Sequence, residues 1–278
     1  MDKTYREVLT RASSFLEEQG VEGYNIQFVF LERKQWTKLN WLMRMNEPIT
    51  AEDQAMIDSD MQRLVQHYPP HYLLGYAEFF DHRLKVTEAT LIPRPETEEL
   101  VALCLAKTSE ETLNVVDIGT GTGAIAISLK AARKNWRVSA TDLSLEALAV
   151  AKENAEHEQT TINFYHGDTL EPVMDQTFDV IISNPPYISR AEWSVMDQSV
   201  RTYEPKMALF AEEDGLAIYQ KIAKEASQLL ASDGQLFLEI GFQQGAAVKA
   251  IMEQAFPTKK VRIKKDMAGN DRMIFVTN

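Results

Sequence analysis

Phe178-Asp179-Val180-Ile181-Ile182-Ser183-Asn184-Pro185-Pro186-Tyr187 is the stretch on which the fold reading turns. Its apolar run reads as a buried parallel strand. Two prolines then stop that strand, because proline fixes φ and donates no ladder hydrogen bond. The chain therefore leaves the sheet as a stiff turn at its carboxyl edge, where open α/β sheets bind ligands. Asn184 stands on that edge with a carboxamide that both accepts and donates, held extended by the proline that follows it. A strand-ending turn without chemistry would look the same in isolation, so the neighbouring segments decide.

Those neighbours alternate between strand and helix patterns. Strands are expected at 113–118, 138–141, 162–165, 180–183, 236–240, 261–264 and 273–277, with helices between most of them. Such alternation implies an α/β fold with a mostly parallel sheet, helices on both faces, and a C-terminal antiparallel hairpin from the last two strands. Gly119-Thr120-Gly121-Thr122-Gly123 follows the first strand, Ser144 caps a helix to about 157, and Ser232-Asp233-Gly234 closes a helix begun near Gly215. Residues 1–74 read differently, as a small helical domain. A helix over 5–19 stops at Gly20, two short helices precede Pro48, and a helix capped by Thr50 ends at Pro69-Pro70. Residues 75–96 form a hairpin turning at Asp81-His82 and a proline-rich linker, and Thr97 is expected to cap the first helix of the domain spanning 97–278.

Composition narrows the function. Asp and Glu outnumber Lys and Arg by 41 to 29, a net charge of −12, which disfavours sequence-independent binding to nucleic acid through phosphate neutralisation. Cys104 is the single cysteine, so an internal disulfide and a cysteine zinc site are excluded; no metal is expected. No apolar run is long enough to span a membrane, and the charged N-terminus lacks a signal-peptide core, so a cytoplasmic protein with no membrane partner is expected.

Four strand ends carry polar groups: Asp117 with its glycine loop, Asp142, Asp168 and Asn184. In a parallel sheet these ends lie side by side and line one concave site. Asp142 falls about 20 residues beyond the loop, where a carboxylate can hold ribose hydroxyls. Two cofactors suit such a site. Gly119-x-Gly121-x-x-Ala124 satisfies the dinucleotide pattern of NAD. S-adenosyl-L-methionine instead carries a sulfonium and an ammonium, which the acidic Asp117 suits better than it suits a phosphate. Asn184-Pro185-Pro186-Tyr187 decides for the second.

Asp117-x-Gly119-x-Gly121-x-Gly123 with Asn184-Pro185-Pro186-Tyr187 resembles class I methyltransferases that act on planar nitrogens. Ile92-Pro93-Arg94-Pro95-Glu96-Thr97-Glu98, Tyr203-Glu204-Pro205 and Gly269-Asn270-Asp271-Arg272 narrow the resemblance to the release-factor glutamine methyltransferase family. It covers residues 70–278 with specific motifs and residues 1–70 in helical character. The resemblance implies a helical N-terminal domain, a seven-stranded Rossmann-like domain, and methylation by S-adenosyl-L-methionine of the glutamine in the Gly-Gly-Gln motif of class I peptide-chain release factors. It further implies cofactor contacts from Asp117, Gly119, Thr120, Gly121, Thr122, Gly123, Asp142, Asp168, Thr169 and Asn184. Substrate contacts are implied for Arg94, Asn184, Pro185, Pro186 and Tyr187, with Asn184, Pro185 and Tyr187 in the catalytic roles. Thr169 departs from the larger apolar group expected against an adenine.

The chemistry needs such a motif. A carboxamide nitrogen is a poor nucleophile, and no side-chain base deprotonates it at neutral pH. Orienting it and accepting hydrogen bonds from both its N–H groups is the remaining means. Asn184 can supply one acceptor through its side chain, Pro185 the other through its carbonyl, and Tyr187 can pack on the amide plane. An exocyclic base amine offers the same two N–H groups, so DNA adenine N6- and RNA guanine N2-methyltransferases are the alternatives, and a non-catalytic nucleotide-binding module is a third. The acidic charge argues against the first two. Residues 188–214 start at the site and carry Arg190, Trp193, Arg201, Tyr203 and Lys206, so they are expected to form a long substrate-gripping loop.

Overall fold

A computed structural model of the protein describes residues 3–278. The first two residues, which the sequence reading includes in the helical domain, lie outside the described residues, as does the side chain of Arg190. The chain divides into two compact units, Met1–Tyr76 with Asp197–Tyr203, and Ala77–Met196 with Glu204–Asn278.

The first unit is built from helices Tyr5–Glu18, Tyr24–Lys34, Lys38–Arg44, Ala51–Leu64 and Pro70–Leu74. Thr4, Thr37 and Thr50 cap three of them through their side chains. Gly20 takes φ +74 just past the first helix. The helix capped by Thr50 ends at Leu64, before the expected Pro69-Pro70, in a turn that takes His67 to φ +61; Pro70 instead opens the next helix, since the missing N–H costs nothing at a first helical position. Leu9, Leu16, Ile26, Phe30, Ile57 and Leu64 form its core. Phe30, Trp36 and Trp41 thus serve packing: Trp36 meets Phe30 edge to face, centroids 5.5 Å apart. Segment 197–203 belongs to this unit through Tyr203, whose hydroxyl donates to the Gln66 carbonyl at 2.9 Å and whose ring packs edge-on against Tyr68.

A hairpin follows, β1 (Tyr76–Phe79), whose first residue still belongs to the first unit, and β2 (His82–Lys85). Its turn is Phe80-Asp81, both at positive φ, one residue earlier than expected. His82 is not at the tip but begins β2, half-buried against Glu158 at 2.7 Å. The main sheet comprises β3 (Asn114–Ile118), β4 (Arg137–Asp142), β5 (Ile162–His166), β6 (Phe178–Ser183), β7 (Leu230–Glu239), β8 (Lys260–Lys265) and β9 (Asp271–Thr277), in the order 5-4-3-6-7-9-8. The first five are parallel, and β9 runs antiparallel between β7 and β8. Both faces are covered, so alternate residues of one strand enter different cores. Val115, Val180, Ile182, Phe237 and Phe275 face one; Val116, Ile181, Leu236, Leu238 and Ile274 face the other. Ser232-Asp233-Gly234 does not close a helix. The helix Ala217–Leu229 has already ended, and these residues lie within β7, beside a register shift opposite Phe178 and Val180.

Residues 188–214 are not a bare loop. They hold a 3₁₀ turn at Arg190–Val195 and short helices at Gln198–Tyr203 and Lys206–Leu209. Among the described residues no helix is long and apolar enough to cross a membrane, and no cluster of His, Cys, Asp and Glu could hold a metal ion.

Candidate functional site

The register places Ile118 of β3 beside Thr141 of β4 on one side and Ser183 of β6 on the other. The residues after these three strands therefore meet at one edge. A cavity of about 270 Å³ opens there, lined in part by Gly119, Gly121, Asp142, Asp168, Thr169 and Asn184. Pro185 and Pro186 complete one wall, and Ile118, Leu143, Ala147, Phe210 and Ile218 supply apolar surface. Among the described residues no lysine, arginine or histidine lines it. A pyrophosphate would find no cationic side chain on these walls, whereas a sulfonium or ammonium would find carboxylates.

The glycine loop folds across the end of β4, with the Gly119 and Thr120 N–H groups donating to the Thr141 carbonyl at 2.9 and 3.0 Å. Gly119 and Gly121 sit at φ +69 and +57, and a Cβ on either would point into open space, the space a ligand needs. Gly123, at φ +84, serves packing instead, because a Cβ there would press on Ile127 and Ala151. Thr120 and Thr122 are buried and off the cavity wall. The Thr120 hydroxyl donates to Asp117 Oδ2 at 2.6 Å.

Asp117 itself is fully buried behind the loop, and its Oδ1 has no hydrogen-bond partner among the described residues. Burial pushes its carboxyl up to about 7, aided by the nearby Asp142 and opposed by the Thr120 hydroxyl. Asp142 lies on the wall. Its carboxylate accepts from the Gly121 N–H at 2.8 Å and the Ser144 N–H at 2.9 Å. Burial raises its pKa against the pull of those two donors. An orphaned buried carboxylate oxygen, a glycine cradle open to the cavity and a wall carboxylate held by backbone donors fit S-adenosyl-L-methionine, which carries an ammonium, a ribose diol and an adenine.

At the far end, Thr169 holds φ +51, costly for a β-branched residue. Its hydroxyl donates to Glu225 Oε2 at 2.6 Å, and the same oxygen accepts the Leu170 N–H at 2.9 Å. Thr169 is small and polar because its side chain is bonded to a buried glutamate of helix Ala217–Leu229. Lys221 of that helix reaches Asp168 at 2.6 Å.

Asn184 leaves β6 half-buried on the wall. Its Nδ2 donates to Thr97 Oγ1 at 3.0 Å, and Thr97 donates to Glu239 Oε2 at 2.7 Å. Thr97 is therefore not a helix cap. Arg94 occupies that position without a side-chain bond, and Thr97 sits in the first turn of helix Pro95–Lys107. Tyr187 is off the cavity wall, its hydroxyl 3.5 Å from Glu239 Oε1 and its carbonyl accepting from Gln244 at 2.9 Å. Arg94 is off the wall too, its guanidinium on the buried Glu204, which also takes the Ile92 N–H. The structure thus brings Gly119, Gly121, Asp142, Asp168, Thr169, Asn184, Pro185 and Pro186 to one surface. Asp117, Thr120, Thr122 and Gly123 lie behind it, and Arg94 and Tyr187 beside it. Sequence reasoning missed Glu239 and Glu225. A lone carboxylate inside the apolar run Leu236–Ile240 was the available signal for the first.

Comparison with known proteins agrees with this geometry. Residues 97–202 match the family model described as methyltransferase small domain, and residues 7–75 match the PrmC N-terminal domain. A release factor glutamine methyltransferase of Enterococcus faecalis is 56% identical over 273 residues, covering 98% of this chain and 99% of that one. One from Lactococcus lactis is 50% identical, covering 92% and 94%. A solved methyltransferase from Pyrococcus furiosus shares the fold, with a TM-score of 0.56 at 18% identity over 79% of this chain and 98% of that one.

Proposed function

We propose how this chain works from a plain premise: it belongs to the release factor glutamine methyltransferase family. It is an enzyme that methylates a release-factor glutamine, with S-adenosyl-L-methionine as the donor. The base-methylating alternatives are not favoured. We assign its target as the Gly-Gly-Gln glutamine of class I release factors, and its place of work as the cytoplasm. No stable binding to nucleic acid is part of the proposal.

S-adenosyl-L-methionine, when bound, supplies a methyl group on a cationic sulfur that departs as a neutral thioether. Asp142 holds the ribose hydroxyls, since it is the wall carboxylate with backbone donors already fixing its orientation. Gly119 and Gly121 admit the amino-acid end, and the buried charge of Asp117 behind them balances its ammonium. The Asp168–Thr169 segment bounds the adenine end. Asn184 Oδ1 accepts one N–H of the target amide, and the Pro185 carbonyl accepts the other. As the new N–C bond forms and the S–C bond breaks, the amide nitrogen gains positive character and both hydrogen bonds strengthen. They therefore stabilise the transition state more than the ground state. The methylated amide then loses one N–H proton to solvent, giving a neutral product. The prolines keep the backbone that carries both acceptors rigid, so little backbone reorganisation is needed at the moment of reaction.

The observation that carries this reading is the place of Asn184, at the end of β6 on the same cavity wall as Asp142. The test is single-turnover methylation of an intact release factor, with mass spectrometry to locate one added methyl on the glutamine. Asn184→Ala should slow the step by roughly 100-fold or more while cofactor affinity changes by less than about fivefold. A near-normal rate at saturating cofactor would remove Asn184 from the mechanism.

A further inference from the structure

The amide of Asn184 is symmetric in shape but not in polarity. Turned one way it offers an acceptor to the substrate; turned the other way it offers a donor, which would face the substrate's own N–H groups. Pro185 holds the backbone but leaves this choice open. The buried residues behind Asn184 close it.

We propose that Glu239 and Thr97 form a polarity relay that fixes Asn184 with Oδ1 toward the substrate, making both of them positioning residues for methyl transfer. The proposal rests on the reading of Asn184 as the acceptor for the target amide. Glu239 ends β7 and is 1% exposed; Thr97 is 5% exposed. Above about pH 7 the Glu239 carboxylate is ionised and only accepts, so the single Thr97 hydroxyl hydrogen points to Glu239 Oε2 at 2.7 Å. Thr97 can then present only a lone pair to Asn184. That lone pair takes the Nδ2 amide hydrogen at 3.0 Å, and the carboxamide oxygen is left on the opposite side. Each donor–acceptor assignment follows from the one before it.

Glu239 is itself held in place. The Tyr219 hydroxyl donates to its backbone carbonyl at 2.9 Å, and the Tyr187 hydroxyl lies 3.5 Å from its Oε1. Burial and Glu96 oppose its ionised form, while the Thr97 hydroxyl and Arg272 favour it. The charge that starts the relay therefore sits out of reach of water and of the substrate. Neither Thr97 nor Glu239 lines the cavity, so their effect on the reaction passes through Asn184.

The test uses the full chain with an intact release factor at about pH 8, where Glu239 is ionised. Thr97→Val keeps the shape and removes the hydroxyl, and it should lower kcat by about tenfold or more with KM and cofactor Kd changed less than about threefold. Thr97→Ser restores the hydroxyl and should recover kcat to within about threefold. Glu239→Met removes the acceptor and should behave as Thr97→Val does. The double variant should be no more than about threefold worse than either single one, because one cut already breaks the relay. A readout independent of methyl transfer is the Asn184 side-chain amide resonance in protein labelled with ¹⁵N-asparagine. It should move in Thr97→Val and return in Thr97→Ser. A wild-type chain that fails to methylate the release factor overturns the proposed function, while the resonance still reports on the relay. Normal kcat in folded Thr97→Val, multiplicative losses in the double variant, or an unmoved resonance overturns the relay.

Discussion

Replacing Asp117 by asparagine should make the ligand-free protein more stable at pH 8 and its cofactor affinity weaker. A carboxyl raised from 3.8 to about 7 has a proton affinity in the fold that exceeds its affinity in the unfolded chain. The native state binds more protons between these two values, so stability falls as pH rises through that window. Its contribution is complete below about 4 and lost above about 7. A rise of about 3 in pKa, at about 1.4 kcal/mol for each, amounts to roughly 4 kcal/mol of destabilisation in the ionised form. The asparagine side chain would carry no charge, and its oxygen could still accept from Thr120. Its amide hydrogens would inherit the unpartnered place of Oδ1, at a cost of about 1–3 kcal/mol. The net gain at pH 8 is then on the order of 1–3 kcal/mol, and it should vanish or reverse near pH 5, where Asp117 is protonated.

The assay is urea unfolding at pH 5, 7 and 8, followed through a probe in the second unit. Calorimetry with S-adenosyl-L-methionine at pH 8 completes it, with an expected loss of affinity of about tenfold or more. Two changes of opposite sign are required together. If Asp117→Asn is less stable than wild type at pH 8, the buried charge is not the cost argued here. If its cofactor affinity is unchanged, Asp117 does not balance the ammonium.

Asp142→Ala should weaken cofactor binding by about 1.5–3 kcal/mol, since a charge-assisted pair of bonds is lost, as titration calorimetry would show. Glu225→Ala should leave the Leu170 N–H without its acceptor and the Thr169 hydroxyl with only the Asp168 carbonyl at 2.8 Å, so cofactor affinity should fall by about 1–3 kcal/mol and amide exchange at Leu170 should speed up; unchanged exchange would count against the clamp. Trp193 packs against Phe210 with the rings tilted by 39° and centroids 5.3 Å apart, and it lies under Lys206. If segment 188–214 grips the protein substrate, Trp193→Ala should slow methylation of an intact release factor by about tenfold more than that of a short glutamine peptide. Equal losses on both would assign Trp193 to packing.

Much of the architecture is legible in the sequence because burial on both faces writes each inner strand as an apolar run. Val115-Val116, Val180-Ile181-Ile182 and Leu236-Phe237-Leu238 need no tertiary information to be read as strands. Asp142 and Asn184 are legible for a related reason: a polar residue that ends such a run stands at the sheet edge by topology alone. Segment 188–214 reads as unstructured because helices of four to six residues carry too few turns to show a period. Thr97 reads as a cap because its residue type and its place after two prolines suit one. The hydroxyl is committed instead to a carboxylate 142 positions along the chain, and such a pairing becomes visible only once the fold closes.

Glu239 shows how a fold can hide a functional residue in a structural pattern. Its neighbours Phe237, Leu238 and Ile240 are core residues with no exposed surface. A sequence selected for stability alone would continue that run with another aliphatic side chain, because burying a carboxylate costs several kcal/mol unless it is paired. Burial indeed pushes Glu239 up to about 7. An aliphatic residue there would leave the Thr97 hydroxyl free to donate to Asn184, and the carboxamide would then be free to turn its amino group toward the substrate. The same reasoning covers Asp117, whose charge is buried behind the glycine loop with an oxygen left over. Both carboxylates destabilise the fold at neutral pH, and both stand directly behind the atoms that would meet the ligands. A cost placed there, rather than scattered through the core, is what a site built to orient a weak nucleophile and to hold a cation requires.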